Sequence, residues 1–454
     1  MLRTGVRYTS EAIVPAVLVA VAMILGGGGS SNPGTELILN MVAGAVVLCW
    51  SLHSAMVGRP LGGPSGTRVA WLLALLLVVV PLIQLIPLPP ALWQALPGRN
   101  LQLAALSLVG AADTWQPISV APLRTMASLA AIVLATAVLL FASSLDLSGY
   151  RTVLVTICVV AAVSILLGGV QLASGGGRAV SFYEQVHRGN LIGFQANRNA
   201  QADVLQIALL AAAALAAPLL PMRSPRDRIA IMALALFAVT TVIATVMTAS
   251  RAGILILPVS VGLALLIARP RLKMNLALLL TGGLVLGGAL LAVLWRIPAL
   301  QRVAGRFAND GVGREDLWRD SLVALQQVWP VGAGTGNFLP YFLVAERLET
   351  VDPSFPARAH NDWLEFVMEG GFLAVLVLIA AAGLLGWRVL AALRSPATEP
   401  AQREWRAQVL FGTGALIIIA LHSLVDYPLR SMSLACLAAF AAAAICSNRG
   451  RIFQ

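Results

Sequence analysis

Stretches of about twenty consecutive apolar residues recur along this chain, and they restrict its fold more than any other feature. Each is long enough to cross a hydrocarbon layer as a helix, which satisfies its own backbone hydrogen bonds where water is absent. About twelve are present, near residues 11–28, 36–56, 69–88, 122–142, 152–173, 200–220, 229–248, 252–269, 274–294, 365–387, 407–425 and 430–446. Hydrophobic residues make up 59% of the 454, and charged residues only 11%. The chain therefore reads as an all-α integral membrane protein, not a soluble domain with a large core. Arg3 and Arg7 precede the first stretch as they would in a signal peptide. No clean A-x-A site follows it, so it is expected to stay as a span.

The net charge is +11, and Lys273 is the one lysine among 31 basic residues. Most arginines flank apolar spans, which is the pattern of topology signals rather than of nucleic-acid binding. The gaps after even-numbered spans hold Arg59, Arg68, Arg151, Arg223, Arg226, Arg228, Arg269, Arg271, Lys273, Arg388, Arg394, Arg403 and Arg406, and the tail holds Arg449 and Arg451. The positive-inside rule puts these gaps and both termini in the cytoplasm. The chain then divides into three parts. Residues 1–294 carry nine spans and two long outward loops, 89–122 and 174–199; residues 295–364 form a large outward loop; residues 365–454 carry three spans and a cytoplasmic tail. Cys49, Cys158, Cys436 and Cys446 lie in apolar runs, where neither a disulfide nor a zinc site is expected.

The outward loops break the charge rule. The second holds Arg178, Arg188 and Arg198, and Arg251 sits in the tight outward turn Thr248-Ala249-Ser250-Arg251-Ala252-Gly253. The third holds Arg296, Arg302, Arg306, Arg314, Arg319, Arg347 and Arg358. Long loops partly escape the rule. An anionic ligand at the outer surface also accounts for the excess, and arginine suits bidentate contact with phosphate oxygens. Within the third loop, Gly313 to Trp329 reads as an amphipathic helix whose stripe is Trp318, Leu322, Leu325 and Trp329. Pro330 stops it. The glycines at 332, 334 and 336 lack a strand–helix–strand setting, so they read as a turn with unusual backbone angles and not as a dinucleotide loop.

His360, one of four histidines, falls where the third loop meets the tenth span. An ionisable group at such a boundary is a functional candidate. A neutral imidazole can take a proton from a hydroxyl, and Arg358 two residues away would favour the neutral ring. Asp362 and Glu365 have capping-box spacing, and the cap would fix the helix behind the histidine. Glu365 and Glu369 share a helix face and could orient a sugar or serve the helix end. His187 could line the site, whereas His53 and His422 lie in or beside spans and read as hydrogen-bonded structural residues. No Asp/Glu/His cluster has metal-ligand spacing.

The motifs together resemble the O-antigen ligase/polymerase family of bacterial envelope glycosyltransferases. The likeness is carried by His360-Asn361 followed by Glu369-Gly370-Gly371, by Gly193-Phe194-Gln195-Ala196-Asn197-Arg198-Asn199-Ala200, and by Thr248-Ala249-Ser250-Arg251. Gly313-Arg314 with Trp318, Pro330, Gly332, Gly334, Gly336 and Phe338 adds to it, as does Leu88-Pro89 to Trp93 with Pro97-Gly98. One departure is that Gly370 and Gly371 are adjacent, where the family usually leaves a short gap. The resemblance implies a C-type glycosyltransferase-like membrane fold with a large, partly helical periplasmic loop. It implies a polyprenyl (undecaprenyl) diphosphate-linked glycan as donor, at the periplasmic face of the bacterial inner membrane, without metal, nucleotide or other cofactor. It further implies that His360 activates the acceptor hydroxyl and that Arg251, Arg314 and Arg198 hold the diphosphate. Asn361, Arg358, Glu365 and Asn199 are expected to support the site. The acceptor is a lipid A core for a ligase, or a second lipid-linked glycan for a polymerase. A lipid-glycan transporter and a non-catalytic scaffold are the readings from other classes, and no nucleic acid is expected as partner.

Overall fold

The computed structural model describes residues 10–28, 33–56, 68–174, 183, 186–187, 189–268, 312–349, 351 and 356–447. Among them the chain is almost wholly helical. It opens with α1 (Ser10–Leu25), α2 (Pro33–Met56) and α3 (Arg68–Gln84), then the short α4 (Pro90–Trp93) and α5 (Asn100–Leu108). There follow α6 (Pro122–Ala142), α7 (Leu147–Ala173), α8 (Arg198–Ala216), α9 (Pro225–Met247) and α10 (Arg251–Ala268). The loop helices α11 (Val312–Val328) and α12 (Phe338–Ala345) precede α13 (Asp362–Arg394), α14 (Pro400–His422) and α15 (Met432–Cys446). Seven of these, α6 to α10 with α13 and α14, are long and apolar enough to cross a membrane. Shorter apolar helices occupy Ala12–Leu25, Leu37–His53, Arg68–Gln84 and Met432–Cys446. The stretch expected to span at 274–294, and the first part of the third loop with Arg296, Arg302 and Arg306, lie outside the described residues.

The bundle is built around α8, which is buried on nearly every face, with α7, α9, α10 and α14 packed on it. Its alanines at 200, 202, 208 and 211–214 let neighbouring backbones approach closely, the usual basis of helix packing where lipid removes the hydrophobic drive. The peripheral α9 instead exposes Ile229, Met232, Leu236, Val239 and Ile243, a face suited to acyl chains. At the ends expected to be cytoplasmic, Arg151 on α7 pairs with Glu404 on α14, and Arg388 donates to the Ser447 carbonyl at 2.8 Å.

The first long loop is ordered. Pro87–Leu88 pairs antiparallel with Gln116–Pro117. Trp93, fully buried, donates Nε1–H to the Thr114 carbonyl at 3.0 Å. Arg99 is 2% exposed and donates to the Ile118 carbonyl, and burial pushes its pKa down to about 10.

The turn read at Gly332–Gly336 and the paired glycines of α13 form one seam. α13 breaks at Gly371, where φ is 61° and ψ is −149°, a conformation that only glycine adopts freely. A Cβ there would lie 2.2 Å from the Pro330 carbonyl oxygen. The break frees two carbonyls, and the loop supplies their donors: Ala333 N–H to Met368 O at 3.1 Å and Gly334 N–H to Glu369 O at 2.9 Å. Phe372 N–H returns to Pro330 O at 2.8 Å, and Gln84 of α3 bridges Glu369 O and Thr335. Gly332, Gly334 and Gly336 all have positive φ, as a turn of unusual backbone angles requires. Adjacent glycines at 370 and 371 thus serve the helix break.

The face of α11 departs from the expected stripe. Leu317, Asp320, Ser321, Ala324 and Val328 are buried, while Leu322 and Trp329 are 48% and 43% exposed. Small residues at 321 and 324 let α11 lie close against the first turns of α13, leaving the bulky residues at the rim.

Candidate active site

His360 is presented by a strained turn with its backbone pinned on both sides. Its φ is +50°, in the left-handed region that side-chain-bearing residues rarely occupy. Ala359 N–H donates to Glu365 Oε2 at 2.9 Å, and the Ala359 carbonyl accepts from Trp318 Nε1 at 2.9 Å. Asn361 then caps α13, its Oδ1 accepting from Leu364 N–H at 3.0 Å. This corrects the expected capping box of Asp362 and Glu365: the cap lies one residue earlier. Both carboxylates turn inward instead, Asp362 to the Leu429 amide and Arg430, Glu365 to the Ala359 amide, Arg358 and Arg430.

The partner of His360 is Asp426, in the turn after α14. His360 Nδ1 lies 2.9 Å from Asp426 Oδ1, with the imidazole 32% exposed and the carboxylate 4%. A carboxylate accepts, so Nδ1 carries the proton and Nε2 is left as the basic nitrogen. The Tyr427 ring stands edge-on to the imidazole, centroids 4.8 Å apart. Asp426 Oδ2 accepts from Asn199 Nδ2 at 2.7 Å. Burial alone would raise the Asp426 carboxyl. The His360 hydrogen bond and charge, the His422 charge and the Asn199 hydrogen bond outweigh burial and hold it at about 2.

The network continues to the arginines. Asn199 Oδ1 accepts from Ser250 Oγ at 2.7 Å, and Ser250 Oγ accepts from Gly253 N–H at 3.0 Å. Arg198 adjoins Asn199 and Arg251 adjoins Ser250, each as the first residue of its helix. The N-termini of α8, α10 and α13 therefore all meet at this network, and each brings the positive end of a helix dipole. Arg314, in the first turn of α11, is half-buried and its charge reaches His422. His187 lies nearby, its Nδ1 3.4 Å from the Arg198 amide.

Arg358 does not act as expected. Its guanidinium is 3.1 Å from Glu365 Oε1, so its charge is directed at that buried carboxylate, and the group facing His360 is Asp426. Glu365 and Glu369 are fully buried and hold Arg430, at 3.3 Å and 2.9 Å, while Asp362 lies 3.5 Å from it. Burial would lower the Arg430 pKa, but Glu365, Glu369 and Asp362 drive it above the ordinary arginine value. Asp362 also accepts from Leu429 N–H at 2.9 Å. The first turns of α13, which follow His360, are thus bolted to the segment that carries Asp426. Glu365 and Glu369 are committed to these arginines and not to a sugar. His53 is exposed on α2, whereas His422 is buried and lies 2.6 Å from Asp203.

Asp426, Tyr427 and Arg430 escaped the sequence reading, which left only the short gap 426–429 between the spans 407–425 and 430–446; Asn197 entered it only as part of the Gly193–Ala200 motif. One signal was available: Asp426 is the sole carboxylate after Glu404. Residues 236–379 match the family model described as O-Antigen ligase, a segment that includes Arg251, Arg314 and His360 but neither Asn199 nor Asp426. No curated protein matches the chain. Over that segment this multi-pass bundle of apolar helices is similar to the O-antigen ligase family.

Proposed function

We propose that the chain is a metal-independent, inverting glycosyltransferase of the O-antigen ligase type, moving a glycan from a polyprenyl diphosphate to a hydroxyl of a lipid A core. The observation that carries this reading is the His360–Asp426 pair, 2.9 Å apart, with a partly exposed base and a buried orienting carboxylate. A sugar hydroxyl is a poor nucleophile, and a base with a free Nε2 lowers that barrier. The acceptor oxygen attacks the anomeric carbon as the carbon–oxygen bond to the diphosphate breaks. His360 Nε2 receives the hydroxyl proton, Asp426 stabilises the resulting imidazolium, and the diphosphate leaves with the bonding electrons. Arg251, Arg198 and Arg314, with three helix N-termini, supply positive charge for that leaving group. Asn199 joins the two halves, touching Asp426 through Nδ2 and Ser250, beside Arg251, through Oδ1. Asn361, Arg358 and Glu365 hold the His360 turn. On this reading the fold is of the C-type glycosyltransferase kind, the site faces the periplasm from the inner membrane and both termini are cytoplasmic.

The test is transfer by the purified, reconstituted protein, given a polyprenyl-diphosphate glycan with either lipid A core or a second lipid-linked glycan. Transfer to the core is expected, with His360→Ala and Arg251→Ala each slowing it by roughly 10²–10⁴-fold while still reaching the membrane. Longer lipid-linked glycans alone would make the protein a polymerase. A fully active His360→Ala protein would remove the base, and a product with retained anomeric configuration would remove direct displacement.

A further inference from the structure

One buried ionisable pair stands apart from the network around His360. Asp203 on α8 and His422 at the end of α14 meet with Oδ1 and Nδ1 2.6 Å apart, their side chains 1% and 0% exposed. Ionisable groups inside apolar spans are costly, and well-packed apolar residues would serve packing alone as well or better. Each member also keeps a second polar atom, Asp203 Oδ2 and His422 Nε2, buried without a hydrogen-bond partner among the described residues.

The pair adjoins the partner of the proposed base. Asp203 lines a small cleft, with room for about one water molecule, together with Asp426, Asn197, Tyr427, Ser431 and Gly27. The Asp426 amide donates to the His422 carbonyl at 2.9 Å, so a single turn joins the two His–Asp pairs. Asp203 Oδ2 has no hydrogen-bond partner among the described residues, and a polar group seated in the cleft would satisfy it. Asn197, Tyr427 and Ser431 give that cleft a polar wall.

We propose that the cleft seats one hydroxyl-bearing group, a water molecule or a substrate sugar hydroxyl, between Asp203 Oδ2 and Asp426, making Asp203 and His422 positioning residues for the base. The inference rests on the glycosyl-transfer reading. Its physical content is that Asp426 is held from the Asp203 side as well as by Asn199, so that His360 Nε2 keeps its aim.

The experiment compares Asp203→Asn with the double change Asp203→Leu and His422→Leu in the full-length protein, in the same transfer assay, with wild type and His360→Ala alongside. The double variant removes the pair without leaving a lone buried charge, and it should melt close to wild type. Its kcat should fall about tenfold or more, as expected for a lost buried hydrogen bond near the reacting groups. Asp203→Asn keeps an oxygen acceptor of the same shape and should recover most of that loss. A loss in kcat alone identifies the bridging group as water. An accompanying rise in KM for donor or acceptor identifies it as a hydroxyl of that substrate. A double variant within about twofold of wild type overturns the proposal. So does a parallel fall of melting temperature and rate in all variants without recovery by asparagine, since that is a structural role. An inactive wild type would instead sink the glycosyl-transfer reading, and this inference with it.

Discussion

At position 360 the chain accepts a left-handed backbone to place an imidazole over Asp426, and three contacts hold it there: Trp318 and Glu365 on Ala359, and the Asn361 cap behind. Strain of this kind persists only where the surroundings over-determine it, and it gathers at working sites. Asp426 makes its protonation state part of the fold. Its carboxyl is held at about 2, against about 4 for a free aspartate. A depressed acid contributes stability that is present above its unfolded pKa and is lost as pH falls through the folded value. Melting temperature in detergent should therefore drop between about pH 4 and about pH 2. Asp426→Asn should lose that part of the dependence and slow transfer by roughly 10²-fold, by the loss of the charge that orients His360.

The elements around the site work through their interruptions. α13 would be an ordinary span but for Gly371, whose break frees the carbonyls of Met368 and Glu369 for the loop at Pro330–Gly334. That splice is what docks the described part of the third loop on the bundle. Gly371→Ala would place a Cβ 2.2 Å from Pro330 O in a glycine-only conformation. It should cost roughly 1–3 kcal/mol or more, read as a lowered melting temperature with looser protection of the loop amides in hydrogen exchange. The need for unusual angles at Gly332–Gly336 was visible in the sequence, because clustered glycines outside a nucleotide fold have few other uses. The face of α11 was not. Its stripe of Trp318, Leu322, Leu325 and Trp329 follows helical spacing, but Ser321 and Ala324 face the core because close approach there needs small side chains.

Across the whole molecule, Arg430 ties the end of the chain to the start of α13. It is charged, mostly buried and shared among Asp362, Glu365 and Glu369, so removing it would strand carboxylates in a closed interior. Arg430→Gln should destabilise the protein by roughly 3–5 kcal/mol. In thermal-shift and expression assays that loss should exceed the loss from Arg319→Ala, whose surface pair with Asp316 is open to water.

Apolar runs of membrane length, the arginines around them and short local motifs determined much of this protein directly. A helical membrane bundle follows from backbone hydrogen bonding in lipid, and His360, Asn199 and Arg251 stand in motifs a few residues long. What only the tertiary structure decided is which groups meet across distance. Asp426 lies 66 positions from His360 and Asn199 lies 227 from Asp426, so no periodicity or spacing could pair them. Arg358 and Arg430 likewise share Glu365 only because α13 and the turn after α14 come together in the bundle. A side chain's charge can be read from sequence; the partner that sets its role depends on how helices pack, and that is a property of the whole chain.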